Sequence, residues 1–304
     1  MKPESQTSNQ DIYQSVTTSI IELLEQVSVE DYQAPFASLA AQGLPYNPVT
    51  KKHYQGINIP YLWITQQKRG YLSNQFASFK QWQEMGAKVK KGERGSRIIF
   101  YKTLIKSDTN EQGEEATSKI PMLRLYTVFN AAQVEGYEHR ESPSPNHTDL
   151  VERLEQVDQY CTHTKATIRH GNSSMAYYNH NGDYIHMPDT MEFIPTKDTT
   201  ATEGYYATLL HELVHWTGAK HRLDRFKENN HPEKIAYAKE ELVAELGSAF
   251  LCAQLNISQT TRQDHARYIK SWLQAFKNDN KYVFRASAEA SRAVEYLNQL
   301  QFKI

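Results

Sequence analysis

The run TLLHELVHWTG, from Thr208 to Gly218, constrains this 304-residue chain more than any other stretch. It sets His211 and His215 four residues apart, so on a helix both imidazoles leave one face about one turn apart and can grip a single ion. Glu212 lies beside them, where a carboxylate can take the proton of a water activated at such an ion. Leu209, Leu210, Leu213 and Val214 make the remaining surface apolar. A helix over 205–217 is therefore expected to be buried, with its polar residues answered by a metal, because unpartnered polar groups cost on the order of a few kcal/mol each to bury.

Two sources compete for the third ligand. His211, Glu212, His215, Gly218 and His221 fit HExxHxxGxxH, in which Gly218 turns the chain toward His221, but that pattern ordinarily carries a methionine turn downstream and no methionine follows Met191. The other source is KEELVAELGSAF, where Glu241 and Glu245 share a helix face among Leu242, Leu246, Ala249 and Phe250. Two inward carboxylates repel unless a cation stands beside them. We take Glu241 as third ligand, with His221 as the alternative, and Glu245 as the acceptor for a ligand histidine's free ring N–H. Zn²⁺ suits these ligands, and Mn²⁺ or another divalent ion could use the same site.

The length favours two domains. Periodicity predicts an opening helix on Ile12, Val16, Ile20, Leu23, Leu24 and Val27, loop over 35–49, helix over 76–85, and strands over 97–105 and 122–130 with a polar tip at 107–119. ESPSPNH reads as a linker, which places a small α+β domain at 8–137, a linker at 138–147, and a mainly helical domain with a small sheet at 148–304. In the second part we expect a helix over 150–162, strands at 166–170, 176–179 and 184–187, and helices at 205–217, 234–255, 260–277 and 285–300. The overall class is α+β. Cys161 and Cys252 show no paired spacing and read as reduced thiols. With no basic-then-apolar start and no apolar stretch of about 18 residues, the expected setting is cytoplasmic, without membrane contact.

Charge is concentrated in one segment. Between Pro48 and Lys106 the only acidic residues are Glu84 and Glu93, against a dozen lysines and arginines. Lys51, Lys52, Lys88, Lys90, Lys91, Arg94 and Arg97 could follow a phosphate backbone, with aromatic rings interleaved among them, as sequence-independent binding of a single strand requires. Tyr54 and Tyr71, beside basic and glycine-bearing sequence, are the stacking candidates, while Trp63, Phe79 and Trp82 are expected in the core. Gly92 and Gly95 of KKGERG permit a tight turn that offers main-chain N–H groups to a phosphate.

HELVHWTGAKHRLDR and YAKEELVAELGSAFLCA, together with NPVTKKHYQGIN, FASFKQWQEMGAKVKKGERGSRIIFY and YTVFNAAQVEG, resemble the ArdC-type antirestriction proteins and the related N-terminal regions of plasmid TraC-type primases. The resemblance spans nearly the whole chain. It implies a protein of a conjugative plasmid or other mobile element that binds single-stranded DNA, protects incoming DNA from host restriction and carries a zincin fold with a glutamate third ligand, here Glu241. The resulting expectation is a zinc metallopeptidase tethered to single-stranded DNA and cleaving an unidentified protein, one candidate being part of the restriction machinery. Glu212 would act as base, Tyr177, Tyr178 or His221 as oxyanion donor, and the stretch 184–187 as the edge strand for substrate. The rival reading is a protein that only coats DNA, its metal being structural.

Overall fold

The computed structural model describes residues 9–25, 37–40, 42–109, 115–138, 150–171, 173–195, 200–227, 233–257 and 266–301. The elements in chain order are α1 (Asn9–Glu25), α2 (Ala37–Ala40), β1 (Tyr46–Asn47), β2 (Lys52–His53), α3 (Asn58–Arg69), β3 (Phe76–Ser78), α4 (Phe79–Glu84), β4 (Lys88–Val89), β5 (Ser96–Thr109), β6 (Glu115–Asn130) and β7 (Val134–Glu135). There follow α5 (Leu150–His163), β8 (Thr167–Gly171), β9 (Tyr177–Asn179), β10 (Tyr184–Pro188), α6 (Ala201–Thr217), α7 (Glu233–Leu255), α8 (Ala266–Asn278) and α9 (Tyr282–Leu300). This is the expected α+β architecture: a basic first part with a long hairpin, then a mainly helical second part with a three-stranded sheet. Val27, residues 139–147 of the expected linker and residues 258–265 lie outside the described residues.

Helix α6 starts at a capping box, Thr200 accepting from the Glu203 N–H and the Glu203 carboxylate accepting from the Thr200 N–H. Leu210, Leu213 and Val214 are fully buried, as a helix apolar on most sides must be. Helix α7 packs across it at Gly247, where a Cβ would stand only 2.8 Å from a Val214 methyl. The close approach is also held by Ser248, whose hydroxyl donates to the Ala207 carbonyl at 3.2 Å. The small sheet, in order β8-β10-β9, lies against α6 and sends Ile185 and Met187 into the core. Strand β10 runs parallel to β8 and antiparallel to β9. It is the central strand, so residues 184–187 are not the edge expected from sequence. The edges are β8 and β9.

In the first part, β5 and β6 pair residue for residue from Ser96↔Val128 to Thr109↔Glu115. The described residues of the polar 107–119 run are therefore ladder and not hairpin tip; backbone pairing propagates along a strand whatever its side chains. The helix expected over 76–85 is split. Phe76–Ser78 pairs with β6, and the Ser78–Gln81 capping box begins α4 only at Phe79. That late start turns Phe79 outward, 48% exposed, in place of the core position expected; Trp63 and Trp82 are fully buried. Helix α3 has no counterpart in the sequence reading, although Pro60 in its first turn and Gly70 at a left-handed C-terminal cap are both boundary signals. The Asn58 side chain at its start pairs with both backbone groups of Ile99, at 2.8 and 2.9 Å, and so ties the helix to β5.

The two parts share one core. Val16, Ile20 and Leu24 of α1, Leu39 of α2 and Trp63 of α3 belong to the same buried cluster as Leu210, Leu246, Phe250 and Trp272. Trp63 faces Phe250 at 5.8 Å and donates its ring N–H to the Gly43 carbonyl at 2.7 Å. Polar ties cross as well: Thr17 donates to the Asn280 carbonyl at 2.7 Å, and Ser291 accepts from the Gly56 N–H at 2.8 Å. Removing Trp63 should therefore destabilise both parts together. Trp63→Ala is expected to cost about 3–5 kcal/mol, read as a lower urea midpoint in a single transition. Two separate transitions in the wild type would show that the shared core does not couple the parts.

Candidate metal centre and basic surface

Helix α6 presents His211 and His215 one turn apart, with their Nε2 atoms 3.1 Å from each other. Glu241 reaches them from α7, its carboxylate oxygens 3.6 Å from His211 Nε2 and 3.7 Å from His215 Nε2. Ligand atoms about 2.1 Å from one ion at tetrahedral angles stand about 3.4 Å apart, so the three side chains converge at a spacing that fits a small divalent cation. Among the described residues they form the group of histidine, cysteine and carboxylate side chains that could hold a metal ion. The donors also fit by charge. Glu212, Glu241 and Glu245 are buried carboxylates crowded around two imidazoles, and buried anions call for a compensating cation. The same field acts on His215: burial opposes its protonated form, but Glu240, Glu241 and Glu212 outweigh burial and raise its pKa.

Behind each imidazole stands a second carboxylate. Glu245 Oε2 lies 3.9 Å from His211 Nδ1, a charge contact longer than a hydrogen bond. Glu240 Oε1 lies 3.2 Å from His215 Nδ1, within hydrogen-bond reach, and the sequence reading gave Glu240 no role at the centre. Glu240 is in turn held by Arg225, which donates to its two oxygens at 2.7 and 3.2 Å, to Thr217 Oγ1 at 2.7 Å and to the Val214 carbonyl at 2.6 Å. Burial pushes the Glu240 pKa up, but His215 and Arg225 overcome it and hold the carboxyl below its usual range. Arg225 thereby ties the end of α6 to α7 and compensates the α6 C-terminal carbonyls. No local periodicity could reveal this, because Arg225 and Glu240 meet only through the loop between the helices.

The alternative third ligand is elsewhere. His221 is exposed and lies 3.3 Å from Asp183 Oδ2, outside the converging group. Gly218 does not turn the chain toward it: its φ is −74°, and its missing Cβ makes room for Phe226, whose ring would otherwise be 2.5 Å away. Of the expected oxyanion donors, Tyr178 has its hydroxyl engaged. The Tyr178 hydroxyl donates to Asp183 at 2.8 Å and accepts from Arg222 at 3.1 Å, and burial together with Asp183 pushes its pKa up to about 12. Tyr177 packs its ring on His186 and Tyr184. Arg222 lies over the Trp216 ring, pairs with Asp183 and donates to the Trp216 carbonyl at 2.6 Å, so it too fastens the end of α6.

The expected DNA-binding cations are all exposed. Lys51 and Lys52 sit at the β1–β2 turn, Lys88 on β4, Lys90, Lys91 and Arg94 in the turn before β5, and Arg97 on β5. Gly92 adopts a φ of +90° in that turn. The aromatic expectation is corrected at Tyr54. Tyr54 is buried, its hydroxyl donating to the Phe76 carbonyl at 2.8 Å, because the Phe76–Leu62 cluster closes over its ring. Tyr71 is half-buried, with Arg69 donating to its hydroxyl at 3.3 Å. Neither cysteine forms a disulfide, and both are buried. No helix among the described residues is long and apolar enough to cross a membrane.

These features define a two-domain protein with a basic N-terminal part and a zincin-like C-terminal part. Residues 10–129 match the N-terminal domain of the anti-restriction factor ArdC, and residues 155–289 match the zincin-like metallopeptidase family. The crystal structure of the antirestriction protein ArdC from plasmid R388 in its metal-free form superposes with a TM-score of 0.76 at 38% identity, covering 96% of this chain and 98% of that one. The Mn(II)-bound structure of ArdC from the same plasmid gives 0.75 at 35% identity, covering 97% and 99%. An uncharacterized protein, y4eC, of Sinorhizobium fredii is 40% identical over 296 residues, 96% of this chain and 92% of that protein. The DNA primase TraC of Escherichia coli is 34% identical over 301 residues, which is 94% of this chain but 27% of the primase. The chain belongs to the ArdC antirestriction family.

Removing the carboxylate behind His215 tests whether it supports the centre. Glu240→Ala should weaken divalent-metal affinity roughly 10- to 100-fold, measured by competition with a chromogenic chelator. Unchanged affinity would remove Glu240 from that role.

Proposed function

We propose that this protein binds single-stranded DNA, protects incoming DNA of a mobile element from restriction, and acts there as a zinc-dependent metallopeptidase on a protein near the bound strand. One observation carries the peptidase reading: His211 and His215 of α6 converge with Glu241 of α7, and Glu212 is buried next to His211 on α6. Family membership and the exposed cations over 51–97 support the DNA reading. We place the two parts at 8–137 and 148–304, with a joining segment at 138–147. Two imidazoles and a carboxylate suit zinc, and the same set accepts Mn(II), the ion in one solved ArdC structure.

A divalent ion held by His211, His215 and Glu241 supplies Lewis-acid polarisation of a scissile carbonyl and acidification of water. Glu212 takes the proton of the attacking water and passes it to the leaving nitrogen. Glu240, braced by Arg225, orients the His215 ring, and Glu245 faces the far side of His211. Strand β9, at the edge of its sheet and packed on α6, offers backbone groups along which an extended substrate segment aligns.

Glu212→Ala should retain metal and single-strand binding while lowering peptide hydrolysis by about 10²–10⁴-fold. If protection in a restricting host during conjugation disappears with it, coating alone is insufficient; full protection would favour the rival reading of a DNA-coating protein with a structural metal. For the basic turn, charge reversal at Lys90 and Lys91 should flatten the salt dependence of single-strand affinity by about 0.7 in log–log slope per lost phosphate contact. An unaltered slope would exclude both lysines from the contact.

A further inference from the structure

The turn at 90–95 closes directly onto Phe129, one ring of an aromatic pair. A Cβ on Gly95 would lie 2.3 Å from Thr127 Cγ2 and 3.1 Å from the tip of the Phe129 ring, so glycine lets the turn backbone press against both side chains of β6. Phe129 is half-buried and meets Phe79 edge-on, with ring centroids 6.4 Å apart, and Phe79 remains 48% exposed. The arrangement is rigid. Phe79 is the first residue of a helix fixed by its capping box, and the Arg94 carbonyl accepts from Arg69 at 2.5 Å and from Gln133 at 3.0 Å, while the Arg94 side chain is exposed. The one acidic residue of the turn, Glu93, is occupied by the Gln133 amide at 2.7 Å. Arg97 pairs across the ladder with Thr127 and is exposed on the same sheet face.

A large exposed ring needs no explanation when it stands alone. Here it is held beside another ring, next to a turn bearing exposed cations. We propose that Phe79 and Phe129 form a stacking platform for a base of single-stranded DNA, with Arg94 and Arg97 contacting the flanking phosphates. Stacking on an aromatic ring needs only the π-face common to all bases, so such a platform is sequence-tolerant and works together with phosphate contacts. A second exposed pair, Phe100 and Tyr126, lies on the opposite face of the hairpin, since Tyr126 and Phe129 are an odd number of residues apart on one strand. The face of Phe129 is favoured because it adjoins the basic turn. The proposal rests on the DNA-binding reading above and names the place where a base is held.

The test uses the full chain and two fluorescein-labelled probes of equal length, an oligothymidylate and an abasic oligonucleotide. Phe79→Ala, a change at an exposed position, should weaken oligothymidylate binding roughly tenfold, the effect of one lost stack. Its salt slope should stay as in the wild type, its affinity for the abasic probe should be unchanged, and Phe79→Trp should restore binding. Equal oligothymidylate affinity in wild type and Phe79→Ala would overturn the platform while leaving DNA binding intact. A loss seen only with Phe100→Ala or Tyr126→Ala would overturn it by moving the strand to the other face. Failure of the wild type to bind either probe would overturn the DNA reading itself, and the platform with it.

Discussion

The contact between α6 and α7 at Gly247 and Val214 is what the rest of the centre depends on. With no side chain on Gly247, the two helices come close enough for Glu241 to stand 3.6–3.7 Å from the two imidazole nitrogens. A bulkier residue would separate the helices, and packed interiors absorb even one added methyl poorly. The apolar residues around this contact, Leu210, Leu213, Leu246 and Phe250, then keep water from the carboxylates. Burial makes each charge consequential: an ionised glutamate at such a place is tolerated only beside a cation, a proton or hydrogen-bond donors.

The neutralising network follows from that constraint. Arg225 compensates Glu240, Glu240 orients His215, and Arg222 performs a parallel task for Asp183 and Tyr178. Both arginines come from the short segment after α6, and both donate to its last carbonyls. A single stretch of chain thus ends the helix, supplies the counter-charges and packs Phe226 on Gly218 and the Tyr178 and His180 rings. The alternative in which Gly218 turns the chain to bring His221 into the coordination sphere finds no support in this segment, whose described polar contacts are made largely by its arginines.

The shared core bears on how the metal centre and the basic surface relate. Trp63 of the basic part packs on Phe250, nine residues along α7 from Glu241, and Asn58 at the start of α3 clamps β5 of the long hairpin. A rigid path therefore links the helix carrying Glu241 to the sheet that presents Arg97 and Phe129. Two family domains have been built around one hydrophobic interior, which fixes the direction the basic surface faces relative to the centre.

Much was legible without a structure. The two histidines and Glu212 are local, because helical geometry alone puts residues four apart on one face. The carboxylates of α7 were legible for the same reason, and so was the concentration of cations before Lys106. The tertiary structure decided the rest. It brought Glu241 and not His221 to the imidazoles, because that depends on which face of α7 meets α6. It joined Arg225 to Glu240 across a loop, buried Tyr54 and exposed Phe79, because a ring's surroundings are set by strands and helices distant in sequence. It also made β10 a central strand, since strand order follows from pairing and not from the residues of one strand. Spacing along the chain determines what a single element can offer; only packing between elements determines what those offers meet.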